Sequence, residues 1–550
     1  MKVFDSVPVK IPAKNVFDLS HDVKATYNFD KLYPFLCQPV YPGDTFNCRA
    51  EVFMRAMPLK CPVMHNVDMR LYFFFVPNRL IWNERKTRDW KTFITGGEDG
   101  KQNPQFPTFT YGNLEQVDPE YYRDGSLLDH MGFPSLTDVE VALQNADLPI
   151  SALPFRAYQL IWNEYFRNQN VQNEISFSYD AGPIQQNDVA KLFSFRKKCF
   201  EKDYFTSCLP WEQRGVAVTL PISGNLSLLG FADVTVEKAL FAGDGTEHQL
   251  KAGSGSGNLI PVTAQTQAAP ISGTNITLKG QAALGSSTVV LRGLNVGTIN
   301  DFRYCLRLQQ WLENNARCGS RYIEQLFAHF GVRSSDARLQ RPELLGGGKV
   351  PLLFTDVEQN SFGSGASDDV LGDLAGKGTL YGKTSGFKKY FEEHGILMGI
   401  CCIVPRTSYS QGIPRVWTAF DKTDWYFPEF AHLGEQAVLN KEVYYDPSAP
   451  DGADELASDA VFGYQGRFTE LRYIPSSVHG EMRGDLMYWH LGRIFNNQPV
   501  LNADFVEARS RADMFALSNV SEQGWDPFVC QMHLSIKAVR PLPKYAIPTL

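Results

Sequence analysis

The 550-residue sequence lacks several features that mark whole functional classes. No stretch approaches the about 18 uncharged apolar residues of a membrane-spanning helix. The opening MKVFDSVPVKIPAKN has no apolar core of the kind a secretory signal needs, so a soluble protein made in a cytoplasm is expected. The 10 cysteines include no CxxC pair, which argues against a disulfide scaffold or a zinc site. Cys401 and Cys402 stand side by side in an apolar run and are expected to be buried free thiols. In that compartment the sequons at Asn225, Asn275 and Asn519 are chance. Net positive charge is missing too. A formal charge of −7 argues against a chain that grips nucleic acid with its whole surface.

The common catalytic signatures are also missing. LGGGK (Leu345 to Lys349) has Glu343 where a phosphate-binding loop needs its first glycine, and Val350 where it needs Ser or Thr. GSGSGN (Gly253 to Asn258) has no third glycine and follows no convincing strand, so it is not a dinucleotide turn. There is no GxSxG, HExxH or calcium-loop pattern. The pair His479 and Glu481 reads as surface polarity. No catalytic residue, metal ligand or cofactor is expected. Aromatic residues make up 13% of the chain, yet none occurs from Ala242 to Asp301. A segment without aromatics is a poor core former, so this is read as a solvated insertion. Short runs within it, Ile276 to Leu278 and Thr288 to Leu291, remain able to pair as strands.

What is present favours sheets. Thr45 to Ala56 alternates, with Phe46, Cys48, Ala50, Val52 and Met54 on one face, which predicts a half-buried strand. Val67 to Val76 begins by alternating and then turns apolar on both faces, as a fully covered strand does. Ile396 to Val404 reads as a second covered strand, and Cys530 to Arg540 as a closing strand with one buried face. Phe462 to Ile474 and Asp485 to Gly492 are further strand candidates. Residues 1–44 are read as irregular because five prolines interrupt them, and Gly96 to Tyr122 as a long surface connection.

Helices are few. One is expected over 301–330, with Cys305, Leu308, Leu312, Gly319, Ile323, Leu326 and Phe330 on one face, ending at Gly331. A capping box at Thr137 to Glu140 opens a short one. Another follows Pro154 with the stripe Phe155, Tyr158, Ile161, Trp162, Tyr165 and Phe166.

One basic run has aromatics on both sides. Arg196, Lys197 and Lys198 lie between Phe195 and Phe200, with Tyr204 beyond. Such a run can touch phosphates and stack bases, although three charges in a row are more often a solvated turn. Composition and pattern thus leave three functional classes open: a self-assembling shell protein, a carbohydrate-active β-sandwich enzyme, and a carbohydrate-binding or adhesive module.

A resemblance decides between them. GSRYIEQLFAHFGV followed by DARLQRPELLGGG (Gly319 to Gly348) resembles the central segment of the major capsid protein of microviruses, small icosahedral single-stranded DNA phages, and the gokushovirus branch in particular. FDLSHDVKATYNFDKLYPF and YPGDTF, FFFVPNRLIWNE, DYFTSCLPWEQRG (Asp203 to Gly215) and the closing RPLPKYAIPTL resemble the same family, in order along nearly the whole chain.

The resemblance implies a mainly β fold: an eight-stranded antiparallel jelly-roll sandwich over 1–550 with long loop insertions and a few helices. It implies a T=1 shell around circular single-stranded DNA. Residues 216–298 would then form a surface loop that rises at the threefold axes and meets the host, with Gly253, Ser254, Gly255, Ser256, Gly257 and Asn258 as candidate residues of that protrusion. The implied partners are further copies of the chain as pentamers and full shell, a scaffolding protein, a spike or pilot protein, a small basic DNA-binding protein, the genome and a host surface receptor. The implied location is the virion, assembled in the cytoplasm of a bacterial host.

Overall fold

The computed structural model describes residues 13–84, 88–135, 147–216, 218, 222–224, 294–296, 299–318, 321–358, 374–447, 459–509, 511, 513–517 and 525–545. The chain divides into two compact units, Met1–Arg214 with Glu313–Leu550, and Gly215–Leu312.

The first unit is organised by strands. Those of four or more residues are, in chain order, β1 (Asn15–Asp18), β2 (His21–Tyr27), β3 (Tyr33–Val40), β4 (Thr45–Ala56), β5 (Val67–Pro77), β6 (Glu343–Glu358), β7 (Leu374–Lys383), β8 (Phe387–Tyr390), β9 (Gly395–Pro405), β10 (Glu435–Leu439), β11 (Val461–Gly466) and β12 (Phe528–Arg540). Ten of them form one sheet along the path β1-β12-β4-β7-β6-β5-β9-β3, with β2 beside β12 and β8 beside β4. All its pairings are antiparallel.

β6 is the strand that curls this sheet. From Glu343 to Leu352 it pairs with β5, and from Leu353 to Glu358 with β7. The sheet therefore folds into two facing halves: β1/β2, β12, β4 and β7 on one side, and β3, β9, β5 and β6 on the other. With β1 and β2 counted as one edge, this is the eight-stranded jelly-roll sandwich the resemblance implies.

Alternation explains the core between the halves. Phe46, Cys48, Ala50, Val52 and Met54 of β4 point inward and are wholly buried, as are Met532, Leu534, Ile536 and Ala538 of β12. Across from them, Phe73 of β5 meets the rings of Phe35 at 5.5 Å and Phe387 at 5.2 Å. Phe391 touches Phe46 of one half and Phe75 of the other. Each fully buried side chain of this kind stabilises the fold by about 1.5–3 kcal/mol.

The second half also has a covered outer face. Phe74, Val76, Ile396, Met398 and Val404 pack under helix α1 (Leu153–Ile161) and helix α2 (Gln186–Phe193). This is why β5 turns apolar on both faces and why every residue of β9 is buried.

Several expectations change. Residues 1–44 carry three strands rather than an irregular start. β3 tolerates Pro34 and Pro39 because it is an edge strand hydrogen-bonded only to β9, so a missing N–H need not break a ladder. The connection from Gly96 to Tyr122 contributes Phe109, Leu114 and Tyr122 to the core beneath α1, so it is only partly surface. The strand expected over Phe462 to Ile474 ends at Gly466, where Phe468 adopts a left-handed φ of 59°. Asp485 to Gly492 forms a short 3-10 turn rather than a strand.

The period over 301–330 is carried by two helices, α3 (Ile299–Cys318) and α4 (Tyr322–Phe330). α4 has its own start, because the Glu324 carboxylate accepts the Arg321 N–H at 3.0 Å. It ends at Gly331 with φ of 67°, as expected. None of its residues is fully buried, so it is not a core helix.

In the second unit, Ile222–Gly224 pairs antiparallel with Leu294–Val296. The helix expected at Thr137 to Glu140, the short runs Ile276 to Leu278 and Thr288 to Leu291, and Gly253 to Asn258 lie outside the described residues.

Candidate assembly and nucleic-acid surfaces

The basic run is a strap stitched into the first unit on both sides. On one side the Leu32 N–H donates to the Arg196 carbonyl and the Lys198 N–H to the Asp30 carbonyl, both at 2.9 Å. On the other, the Ala508 N–H donates to the Lys198 carbonyl at 2.8 Å, and the Phe200 N–H to the Val506 carbonyl at 2.9 Å.

Two of the three cations are taken up locally. The Arg196 Nε donates to Gln159 Oε1 at 2.6 Å, and its guanidinium lies 5.8 Å over the Trp162 ring. Burial lowers the Arg196 pKa. The Lys198 ammonium donates to the Tyr72 hydroxyl at 2.8 Å and lies over the rings of Tyr72 and Phe166. Lys197 is the most open, with its ammonium 4.0 Å from Glu507 and its side chain 38% exposed. Phe200 and Tyr204 are buried, and Phe195 packs against Tyr33 at 5.0 Å. Beside the strap, burial pushes the Asp30 carboxyl up to about 7, against the pull of Lys197 and Lys31.

The phrase DYFTS opens a buried polar hub. Asp203 accepts hydrogen bonds from the Phe205 N–H at 2.9 Å, the Thr206 N–H at 2.7 Å and the Tyr409 hydroxyl at 2.7 Å. Glu442 accepts from the Leu439 N–H and the Tyr204 hydroxyl, both at 2.9 Å, and pairs with Arg415 at 3.2 Å. Burial raises the Glu442 pKa. Both carboxylates are saturated inside the protein, which suits a scaffold rather than a sugar-cleaving acid pair. Sequence alone could not separate these two buried acids from the scattered surface ones. Among the described residues, no three His, Cys, Asp or Glu side chains cluster as metal ligands.

The exposed surface of the first unit carries many large apolar side chains. Between β9 and β10, three 3-10 turns, Arg415–Trp417, Lys422–Asp424 and Pro428–His432, present a ledge of aromatics. Trp417 is 75% exposed, Phe420 88% and Trp425 61%, with Tyr426 and Phe427 beside them. The ledge is held in place from beneath. Tyr426 packs on Phe468 at 5.4 Å, and the Arg467 guanidinium donates to the Thr423 carbonyl. On α4, Tyr322 and Phe330 are 68% and 74% exposed. Isolated exposed apolar groups are ordinary, whereas clusters of them mark surfaces that another molecule covers, and here five exposed aromatics fall within residues 417–427. Aromatics anchor such contacts.

A cleft of about 430 Å³ lies between the two open sheet edges, lined by β2, β3 and residues 129–132. A second, of about 480 Å³, lies between residues 64–66, 406–408 and 476–490.

Comparison with known proteins gives a consistent answer. The profile of the family described as "Capsid protein (F protein)" matches residues 6–550. The chain is 34% identical to "Capsid protein VP1" of Chlamydia phage 1, with 100% of this chain and 97% of the relative covered. It is also 34% identical to "Capsid protein VP1" of Bdellovibrio phage phiMH2K, over 99% of this chain and 97% of the relative. Against "Capsid protein VP1" of Spiroplasma virus 4 the identity is 29%, over 97% and 94%.

Proposed function

The chain belongs to the phage capsid protein (F protein) family, and from that premise we propose that it is the subunit of a T=1 icosahedral shell enclosing circular single-stranded DNA. Its role is structural and not enzymatic, and it assembles with itself into the shell of a phage virion. The observation that carries the assembly reading is the aromatic ledge Trp417, Phe420, Trp425, Tyr426 and Phe427 on an otherwise well-packed sandwich. Burying such side chains against further copies would release about 1.5–3 kcal/mol each, and closed symmetry would repeat that gain at every contact.

We read residues 216–298 as the outward loop that meets the host surface, with Gly253 to Asn258 among its protruding residues. The pairing of Ile222–Gly224 with Leu294–Val296 supports an insertion whose two ends meet. For the genome, Lys197 is the member of the basic run whose charge is best placed to reach a phosphate. A net charge of −7 per subunit cannot neutralise roughly 28 phosphates per subunit, the least that a genome encoding this chain would bring. A small basic protein packed with the DNA fits that deficit, and scaffolding and spike or pilot proteins complete the assembly, which takes place in the bacterial cytoplasm.

Electron microscopy of the chain expressed with the rest of its virus tests this reading. Isometric particles of sixty-subunit size, filled with DNA, are expected. A strictly monomeric protein under those conditions would refute it.

A further inference from the structure

The cleft between residues 64–66, 406–408 and 476–490 gathers polar groups outside the basic strap and the buried hub. Its volume, about 480 Å³, is within the range of small-ligand sites. The chain carries more acid than base, yet among the described residues no carboxylate lines this cleft. Its donors instead suit an anion. The Arg406 side chain is about half exposed, and the nearest carboxylate, Asp68, is 4.0 Å away and already holds the Lys349 ammonium at 2.8 Å.

His479 shows how one hydroxyl is made available. Its Nδ1 faces the Arg483 guanidinium at 3.4 Å and accepts there, so its Nε2–H donates to Ser477 Oγ at 2.8 Å. Ser477 thus keeps its own hydrogen for a ligand. The Ser408 hydroxyl is buried and has no hydrogen-bond partner among the described residues. An orphaned buried hydroxyl is expensive unless something else reaches it.

The remaining walls are neutral or apolar. His65 is used by the Arg406 carbonyl at 2.7 Å, and burial lowers its pKa. His490 donates to the Met482 carbonyl and accepts the Gly492 N–H, both at 2.8 Å. Met64 and Met482 supply an apolar flank. Tyr473, 41% exposed, lies just before the Ser476 to Met482 wall and within the field of Arg406.

We propose that this cleft binds the phosphodiester backbone of single-stranded DNA, with Arg406 and the Ser477 hydroxyl on the phosphate and Met64, Met482 and Tyr473 against sugar and base. The inference rests on the reading of the chain as a subunit of a DNA-filled shell. Phosphate contacts of this kind position a strand without reading its sequence, and an aromatic or apolar platform accepts any base. That is what a shell lining needs.

The test uses the full-length protein and an oligothymidylate of about eight nucleotides carrying one 5-iodouracil. Crosslinks are expected in the peptides holding Met64 to Asn66 or Tyr473 to Met482. Arg406→Gln should weaken binding about tenfold and reduce the salt slope by about 0.7, one phosphate contact on a single strand. Arg406→Lys should retain the slope, and Ser477→Ala should weaken binding about threefold with an unchanged thermal melt. Unchanged affinity and slope in Arg406→Gln, or crosslinks confined to other surfaces, would overturn the inference. So would inorganic phosphate bound in the cleft, seen by phosphorus NMR and lost in Arg406→Gln, while the oligonucleotide crosslinks elsewhere. Electron microscopy keeps the two readings separate. Particles without cleft crosslinks sink this inference alone, whereas isolated subunits that crosslink but never assemble sink the shell reading.

Discussion

Replacing Arg196 by Met decides whether the basic run is first a strap or first a DNA contact. Met keeps most of the apolar stem and removes the guanidinium. Gln159, wholly buried, would lose the donor that reaches its Oε1 at 2.6 Å, and a stranded buried acceptor costs about 1–3 kcal/mol. The charge above the Trp162 ring adds about 0.5–1 kcal/mol. A local loss of about 1.5–4 kcal/mol corresponds to roughly 10- to 900-fold more frequent opening.

The assay is amide hydrogen exchange on the isolated subunit. The Leu32 and Lys198 amides, which donate across the strap, should exchange faster by that factor. Amides in the pairing of β4 with β12 should stay protected, because the opening is local. Oligonucleotide affinity should hardly change, since the Arg196 charge is already engaged. Native protection at Leu32 and Lys198 together with lost DNA binding would refute the reasoning.

Three further outcomes follow from the same geometry. Asp30 has a folded pKa of about 7, above the unfolded value of about 3.9, so ionisation is penalised in the fold above pH 7 and the penalty fades as the pH falls towards 4. Asp30→Asn, which also suits the φ of 66° there, should therefore raise stability at pH 8, by no more than about 4 kcal/mol, and by less at pH 5; an equal effect at both pH values in denaturant titrations would contradict this. Cys318 is exposed while Cys48, Cys61, Cys208, Cys401, Cys402 and Cys530 are buried, so a thiol reagent should label Cys318 first in the native protein, as peptide mapping will show. A Cβ at Gly347 would lie 2.2 Å from the Leu71 carbonyl oxygen, so Gly347→Ala should destabilise the subunit by about 3 kcal/mol and suppress particles, and a melt like that of the native protein would count against the pairing of β5 with β6.

The parts of the fold that show in the sequence are those where burial alone sets the pattern. β4 and β12 alternate because one face meets the core, and β9 is apolar throughout because both faces do. β3 is hidden by its prolines, whose tolerance depends on being at an edge, which is a tertiary fact. β6 is hidden by Gly346 to Gly348, which give no alternation to read and are small because Gly386, Leu71 and Thr384 pass close by. The strap was visible as charge, but its partners lie at residues 30–32, 159 and 506–508, and no local pattern joins those positions. The cleft around Arg406 was almost invisible. Its only trace was His479, since the groups that line it come from three distant segments.

The place of β12 in the sheet has a consequence for synthesis. This strand, Phe528–Arg540, lies between β1/β2 and β4, so the earliest strands made stay unpaired along their inner edges until residue 540 has been translated. At about 5–20 residues per second, β4 waits roughly half a minute to a minute and a half for its neighbour. A ribosome that stalls anywhere in between releases a chain without a closed sandwich, unable to offer a neighbour the rigid surface that a shell requires. The topology of the sheet thereby works against truncated products completing a subunit.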